Sequence, residues 1–145
     1  MNSYNGENTY SREFKDIFGF GPYEFQLEVF EKIYNQEEFP LLIKAPTGSG
    51  KTEAILFPFL YQFKQRKISI APRLIYVLPM RVLVNSLTNR IKEYARKLDI
   101  QVKEQHGDAP NSPFFMADIV VTTLDQFLYA FARASKQVGH HIDVP

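Results

Sequence analysis

A glycine-rich loop between an apolar run and a helix-forming segment is the feature that most restricts how this chain can fold. The loop, Ala45 to Thr52 (APTGSGKT), directly follows the run Leu41 to Ile43 and precedes the segment Glu53 to Phe57. Because glycine lacks a Cβ, the backbone of such a loop can turn tightly and direct successive N–H groups at one anion. A strand, a loop of this kind and a helix, in that order, are typical of a phosphate-binding unit in an α/β protein.

The residue types of the loop favour a nucleoside triphosphate over a simple anion. Lys51 supplies a positive charge for the β- and γ-phosphates, and the Thr52 hydroxyl can coordinate Mg²⁺. Both lie on the first turn of the predicted helix, whose positive end attracts phosphate. Ala45 stands where the general motif has glycine, so the loop is a variant. The predicted nucleotide-binding residues of the loop are Ala45, Pro46, Thr47, Gly48, Ser49, Gly50, Lys51 and Thr52.

The composition restricts the compartment and the kinds of site. The 145 residues are enough for one domain, and 45% of them are hydrophobic, as in ordinary globular proteins. The absence of cysteine excludes disulfides and thiolate metal sites. No apolar run is long enough to cross a bilayer, and the N-terminus lacks the basic-then-apolar pattern of an export signal. We therefore expect a cytoplasmic protein without a membrane partner.

Charge is unevenly distributed along the chain although the total is only +1. Residues 1–43 carry a net charge of −5, residues 44–103 a net charge of +9, and residues 104–145 a net charge of −3. A basic middle segment between acidic ends favours a polyanionic partner. Solvated lysine and arginine side chains on the outer faces of helices are the alternative explanation.

Strand and helix patterns alternate along the chain. Residues 1–9 are polar and predict a disordered N-terminus, and residues 10–145 predict one α/β domain. Near-continuous apolar runs predict buried strands at 40–44, 73–78 and 117–122, with a short strand at 100–105. Helices are predicted over 10–18, from Pro22 onward, from the phosphate loop towards Gln65, and after residue 79. This order predicts a mostly parallel sheet flanked by helices.

The last predicted helix begins near Thr123. Its apolar residues Leu124, Phe127, Leu128 and Phe131 are expected to face inward. The sequence from Thr123 to Gln126 also has the spacing of a capping box, with glutamine three residues after the cap.

Three segments after predicted strands, with Gln26 ahead of the phosphate loop, resemble the first RecA-like domain of superfamily-two helicases. Because ligands of α/β sheets bind beyond the carboxyl ends of the strands, these segments belong at one edge. The resemblance is strongest to the helicase part of the CRISPR-associated helicase-nuclease of type I systems and spans roughly residues 18–135. Its segments are residues 21–26, 45–52, 78–83, His106-Gly107-Asp108 and 121–127.

The resemblance implies roles for individual residues. Gln26 matches the glutamine that reads adenine, which implies ATP with Mg²⁺ as the cofactors, and Phe18 or Phe20 would stack on the base. Lys51 and Thr52 would be catalytic. Arg81 matches a residue that grips the nucleic-acid backbone. Thr122 and Thr123 match a second gripping motif, although Thr123 is equally explained as a helix cap.

The chain also departs from the resembled family. The buried strand ending in Asp-Glu, the second RecA-like domain and the His-Asp nuclease domain have no counterpart in the sequence. We therefore expect a partial domain of an ATP-dependent DNA helicase or translocase of CRISPR interference, which binds ATP but hydrolyses little. The implied partners are single-stranded DNA (or RNA), a second RecA-like domain, a CRISPR surveillance complex and a separate nuclease. An RNA or DNA-repair helicase, and a non-hydrolysing binding module, are the alternatives.

Overall fold

The computed structural model describes residues 8–36, 41–105 and 117–132, which group into two compact units. The first unit contains the described residues up to Pro72 together with Lys97–Asp99. The second contains Arg73–Arg96 and the described residues from Ile100 onward. Within these described ranges, no helix is sufficiently long and apolar to cross a membrane.

The first unit is helical and has an aromatic core. Helix α1 covers Thr9–Phe18, α2 covers Glu24–Phe30 and continues into a π-helical turn over Glu31–Asn35, and α3 covers Lys51–Lys64. Offset and edge-to-face ring contacts, which stabilise beyond their buried area, join the three helices. The rings involved are Tyr10, Phe14, Phe18, Phe30, Tyr34, Phe57 and Tyr61.

The ends of these helices follow local chemistry. Helix α1 is capped by Asn8, whose side chain accepts a hydrogen bond from the Tyr10 N–H. The helix begins at Thr9, which is inside the segment 1–9 that was predicted to be disordered. Residues 1–7 lie outside the described residues. As predicted, α1 ends at Gly19, which has a φ of 87° that favours glycine. Helix α2 begins at Glu24, so the start predicted at Pro22 is wrong. Helix α3 continues through Pro58.

The strand predicted over 40–44 is wrong for residues 41–44, which form no strand. Leu41 and Ile43 pack on a core cluster that includes Val29, while Leu42 between them is 79% exposed, so the segment is not buried along its whole length as the apolar run predicts. No strand pairs with it among the described residues. Side-chain burial alone does not make a strand without neighbouring backbone hydrogen bonds.

The second unit contains a three-stranded parallel sheet, which confirms the predicted α/β class. Strand β1 covers Leu74–Leu78, β2 covers Val102–Glu104 and β3 covers Ile119–Thr123. The order in the sheet is β1-β3-β2, with Leu74 opposite Ile119 and Val102 opposite the same residue. Helix α4, over Arg81–Ala95, connects β1 to β2 and packs on all three strands. The three predicted strands of this unit are confirmed within two residues at each end.

Burial differs between the strands. Residues 119–122 of β3 are buried, as expected for a central strand covered on both faces. Strand β1 is only partly buried and Ile75 is 38% exposed, so its predicted burial on both faces is wrong. Helical spacing in the sequence predicts an apolar stripe after β1 at Val84, Leu87, Ile91, Tyr94, Ala95 and Leu98. Four of these residues are buried on α4, whereas Tyr94 and Leu98 are only partly buried.

Residues 124–132 are helical, but the predicted inward face is largely wrong. Leu124, Leu128 and Phe131 are 50%, 55% and 67% exposed. The buried side instead consists of Ala130 and the partly buried Phe127, which pack on Ala117 and Val120. The helix therefore turns Phe127 and not its leucines toward this cluster.

Candidate nucleotide and nucleic-acid sites

The phosphate loop forms a tight turn that ends at the first residue of α3. The Ser49 N–H donates to the Pro46 carbonyl oxygen at 3.2 Å, which closes the turn. Gly48 and Gly50 have φ values of 79° and 89°, in the left-handed region that favours glycine. Helix α3 then starts at Lys51, with the Ala54 N–H donating to the Gly50 carbonyl at 3.0 Å. The predicted loop-to-helix junction is therefore present.

Gln26 is the internal support of this junction. Its side chain is fully buried, and its Nε2 donates to the Gly50 carbonyl oxygen at 2.9 Å. Its Oε1 accepts from the Tyr23 N–H at 2.8 Å, which satisfies a backbone donor at the start of α2. One glutamine therefore joins the start of α2 to the end of the phosphate loop.

The space beside Gly50 is filled by polar side chains. A Cβ at this position would lie 2.4 Å from Gln26 Nε2 and 3.8 Å from Glu53 Oε2. Glu53 lies in the first turn of α3 and is 2% exposed. Gly50 is thus required by its φ and by the close approach of Gln26, whereas a Cβ at Gly48 would meet nothing within 4 Å.

The loop fits a triphosphate with Mg²⁺. The Ser49 hydroxyl oxygen is buried and has no hydrogen-bond partner among the described residues, which leaves it available to a ligand. No side chain caps the N-terminus of α3, so its first backbone N–H groups are not used by a local acceptor. Lys51 and Thr52 follow directly on the first turn and are partly buried. These are the donors and the hydroxyl that phosphate and magnesium require.

The predicted adenine contacts differ in accessibility. The amide of Gln26 is fully buried and bonded at both ends inside the protein, so its second N–H and its second oxygen lone pair would have to become accessible before it could read adenine. Phe18 is 7% exposed and packs against Phe14 and Phe57, whereas Phe20 is 42% exposed. Of the two phenylalanines proposed to stack on the base, Phe20 therefore has the accessible ring.

The three residues predicted to grip nucleic acid lie at one edge of the sheet. Leu78, the last residue of β1, is opposite Thr123, the last residue of β3. The chain leaves these two strand ends toward Arg81 and Leu124, at the carboxyl edge where ligands of parallel sheets bind. Arg81 is the exposed first residue of α4, and the first turn of this helix contains no acidic residue. This end of α4 is therefore suited to an anion.

The two threonines are engaged within the fold. Thr122 is fully buried, and its hydroxyl lies 3.4 Å from the Gln105 carbonyl and 3.5 Å from the Thr123 carbonyl, to which it donates. Thr123 is partly buried, and its hydroxyl accepts from the Gln126 N–H at 3.3 Å, which confirms that it caps the following helix. Arg81 is thus the most accessible side chain of the three.

Sequence reasoning missed the capping role of Gln26, although the sequence contains a signal for it. Tyr23 and Gln26 have the cap-to-third-residue spacing of a capping box, with glutamine in the position that bonds back to the cap N–H. The described ranges hold no cluster of three or more histidine, aspartate or glutamate side chains suited to a metal. His106-Gly107-Asp108 lies outside the described residues.

Residues 23–142 match the family model of the DEAD/DEAH box helicases. The chain belongs to this helicase family. It therefore carries a helicase domain of superfamily two, and ATP is the nucleotide that helicases of this family use. The predicted RecA-like fold agrees with a solved structure, described as a hypothetical ATP-dependent RNA helicase from Sulfolobus tokodaii. The two are 27% identical with a TM-score of 0.64 over 88% of this chain and 37% of that one.

Sequence relatives of this DEAD/DEAH domain are named for different roles. The CRISPR-associated helicase Cas3 of Thermoproteus tenax is 32% identical over 69% of this chain and 19% of its own length. Activating signal cointegrator 1 complex subunit 3 of Danio rerio is 39% identical over 55% of this chain and 6% of its own length. The chain thus spans about a fifth or less of these relatives.

Proposed function

We propose that this helicase domain binds ATP and Mg²⁺ at the phosphate loop and uses the nucleotide cycle to move along single-stranded nucleic acid. The observation that carries the proposal is the preformed loop, in which Gln26 supports the Gly50 carbonyl while the Ser49 hydroxyl has no partner among the described residues. A loop fixed before the nucleotide arrives loses less conformational entropy on binding than one that must order.

The roles of individual residues follow from their chemistry. Backbone N–H groups of the loop and the Ser49 hydroxyl would receive phosphate oxygens, and Lys51 would neutralise the β- and γ-phosphates. Thr52 would hold Mg²⁺, which screens the triphosphate charge. Phosphoryl transfer depends mainly on such positioning and charge neutralisation. Because the sequence contains no Asp-Glu pair to hold the metal and the attacking water, we expect slow hydrolysis by this chain.

The finer proposal is a DNA helicase or translocase that acts in CRISPR interference. It is supported by the ordered motifs of the sequence and by the similarity to the Cas3 protein of Thermoproteus tenax. On this proposal the domain works with a second RecA-like domain on single-stranded DNA, in the cytoplasm, beside a CRISPR surveillance complex and a nuclease.

An RNA helicase is the second candidate. It is supported by the similar Sulfolobus tokodaii structure, which is described as a hypothetical ATP-dependent RNA helicase. It is also supported by the similarity to an Arabidopsis thaliana protein named as an RNA helicase, 31% identical over 57% of this chain. Comparing the affinities for single-stranded DNA and for RNA of the same sequence, in the presence of MgATP, separates the two. Binding to RNA alone would contradict the DNA proposal.

The test of nucleotide binding compares two lysines of the same helix. Lys51→Ala removes the charge beside the loop, and Lys64→Ala removes the charge at the other end of α3. We expect Lys51→Ala to weaken MgATP binding about tenfold to a hundredfold, the value of a lost charge-assisted hydrogen bond. Isothermal titration calorimetry measures the change.

Lys64→Ala is expected to leave the affinity for MgATP unchanged. Equal losses from the two variants would indicate a general loss of folding and would contradict the assignment of Lys51 to the phosphates.

A further inference from the structure

We infer that the loop after α3 is a docking surface for an acidic segment of a partner protein, with Arg66 and Lys67 as its contacts. The surface consists of residues 65–68, which are all exposed, and is called here the basic loop. It lies at the opposite end of α3 from the phosphate loop, about 20 Å away for a helix of 14 residues. The inference therefore concerns a part of the first unit that the proposed function does not use.

The backbone at the end of α3 holds Arg66 in a conformation that favours glycine. The Arg66 N–H donates to the Phe63 carbonyl at 3.1 Å, and the Lys67 N–H donates to the Gln62 carbonyl at 3.2 Å, as in a Schellman motif. Arg66 occupies the left-handed position of this motif, with a φ of 55°, and no other described residue except glycine has a positive φ. Because a side chain at this position destabilises the helix end relative to glycine, we expect the guanidinium to have a role outside the fold.

Buried hydrogen bonds hold the segment that follows the basic loop in one conformation. Gln62 is fully buried, and its Oε1 accepts from the Ser69 N–H at 3.1 Å and from the Ile70 N–H at 3.0 Å. Its Nε2 donates to the Ala71 carbonyl at 2.6 Å, and the Ser69 hydroxyl lies 3.3 Å from the Tyr34 hydroxyl. The exposed side chains therefore project from a backbone that is already ordered, which lowers the entropic cost of binding a partner.

The charge of the basic loop identifies the partner as acidic. Residues 65–72 include no aspartate or glutamate, and the side chains of Arg66 and Lys67 form no ion pair or hydrogen bond with the described residues. Basic side chains near the end of a helix also interact with the helix dipole, but Lys64 and Lys67 do so without a left-handed backbone. The guanidinium of Arg66 can bind a carboxylate through two parallel hydrogen bonds.

The composition of the loop favours a protein over a nucleic acid. Sites for single strands combine positive charge with aromatic rings on which bases stack, and sites for duplexes neutralise several phosphates at once. Residues 65–72 contain two charged side chains and no aromatic ring. Ile68, which follows Lys67 and is 53% exposed, adds an aliphatic contact. Two carboxylates beside an aliphatic side chain, as acidic segments of proteins provide, would therefore match this surface.

The test measures binding of the whole protein to a labelled peptide of alternating glutamate and leucine by fluorescence anisotropy. The same peptide with glutamine in place of glutamate is the neutral probe, and oligothymidine is the nucleic-acid probe. The wild type should bind the acidic peptide about threefold to thirtyfold more tightly than the neutral one, the combined value of two exposed ion pairs. Added salt should weaken this binding, because exposed charges are screened.

Arg66→Gly separates the effect on binding from an effect on folding. It removes the guanidinium and places the favoured residue at the left-handed position, so urea unfolding should occur at an equal or higher urea concentration. Its affinity for the acidic peptide should fall about twofold to fivefold, the value of one exposed ion pair. Addition of Lys67→Gln should reduce the affinity to that for the neutral peptide. Lys15→Gln is the matched control, because Lys15 is an exposed basic residue in the last turn of α1, and it should leave the affinity unchanged.

Several outcomes would overturn the inference. These are an unchanged affinity of Arg66→Gly for the acidic peptide, an equal loss in Lys15→Gln, and a wild type that does not prefer the acidic peptide to the neutral one. If Arg66→Gly weakened binding to oligothymidine and not to the peptide, the basic loop would belong to nucleic-acid binding instead. The affinity for MgATP should be the same in Arg66→Gly and the wild type, so failure of this inference would leave the proposed function of the phosphate loop intact.

Discussion

The phosphate loop and the carboxyl edge of the sheet both carry recognisable motifs, but the protein holds them in opposite ways. At the loop, the Gly50 carbonyl is bonded from two sides, by the Ala54 N–H and by the buried amide of Gln26. At the sheet edge, Arg81 and its apolar neighbours extend into solvent. One candidate site is fixed by buried polar contacts, whereas the other is an exposed surface.

The difference matches what each ligand demands. A triphosphate offers the same oxygens each time, so a rigid set of donors suits it and geometry can be built in advance. A nucleic-acid strand that moves must be released after each cycle, and exposed side chains can change partners at low cost. We therefore expect substitutions at the loop to alter stability and ligand binding together, and substitutions at the edge to alter ligand binding alone.

The largest expected effect is that of Gly50→Ala. An alanine at this position would have to keep a left-handed backbone conformation, which lowers the free energy of unfolding by about 1 to 2 kcal/mol. Its Cβ would also displace the Gln26 amide, which lowers it by about 1 to 3 kcal/mol more. Gly48→Ala is the matched control, because it has a similar φ but open space around the Cβ. Denaturant unfolding should show a larger decrease in the free energy of unfolding for Gly50→Ala than for Gly48→Ala. Equal losses at the two glycines would mean that the contact with Gln26 does not stabilise the loop.

A smaller effect is expected for Gln26→Leu, with Gln62→Leu as its control. Gln62 is also a fully buried glutamine of the first unit, and its amide bonds to the backbone of Ser69, Ile70 and Ala71. Each substitution removes buried hydrogen bonds and should lower the free energy of unfolding by about 1 to 3 kcal/mol.

Only Gln26→Leu should also weaken MgATP binding, because only Gln26 supports the phosphate loop. An equal loss of MgATP affinity in Gln62→Leu would show that any destabilisation of this unit disturbs the nucleotide site. The phosphate loop could then not be described as a site that Gln26 in particular holds in place.

The sequence predicted the parts of the fold that depend on local signals. The loop glycines, the stop at Gly19, the cap at Thr123 and the positions of the strands β1, β2 and β3 follow from spacing and turn chemistry. These features are decided by a few neighbouring residues, so a single sequence contains the information.

The errors concern features decided by distant partners. Whether residues 41–44 form a strand depends on a neighbouring ladder, and the burial of Leu124 and Leu128 depends on what packs against their helix. The accessibility of Thr122 depends in the same way on the Gln105 carbonyl across the sheet. Gln26 is an intermediate case, because its capping spacing is local whereas its bond to Gly50 spans 24 residues.

The smallest expected effect is that of Lys64→Met. It measures how much a partly exposed ion pair contributes to the free energy of unfolding, for comparison with the buried hydrogen bonds of Gln26. Lys64 Nζ lies 2.6 Å from Glu13 Oε2 and 3.3 Å from Asp16 Oδ2, joining α3 to α1.

Burial lowers the pKa of Lys64, but its hydrogen bonds to Glu13 and Asp16 outweigh burial, so the net pKa is raised above 10.5. The charged form therefore stabilises the fold below pH 10.5, and this contribution is lost as the pH rises through the higher pKa of the folded state. We expect Lys64→Met to cost about 0.5 to 1 kcal/mol near neutral pH and the difference from wild type to shrink in alkali. Burial also raises the pKa of Tyr61, but that residue is common to both proteins, so it drops out of the difference. A difference that grows with pH, in urea unfolding followed by circular dichroism, would contradict the ion pair.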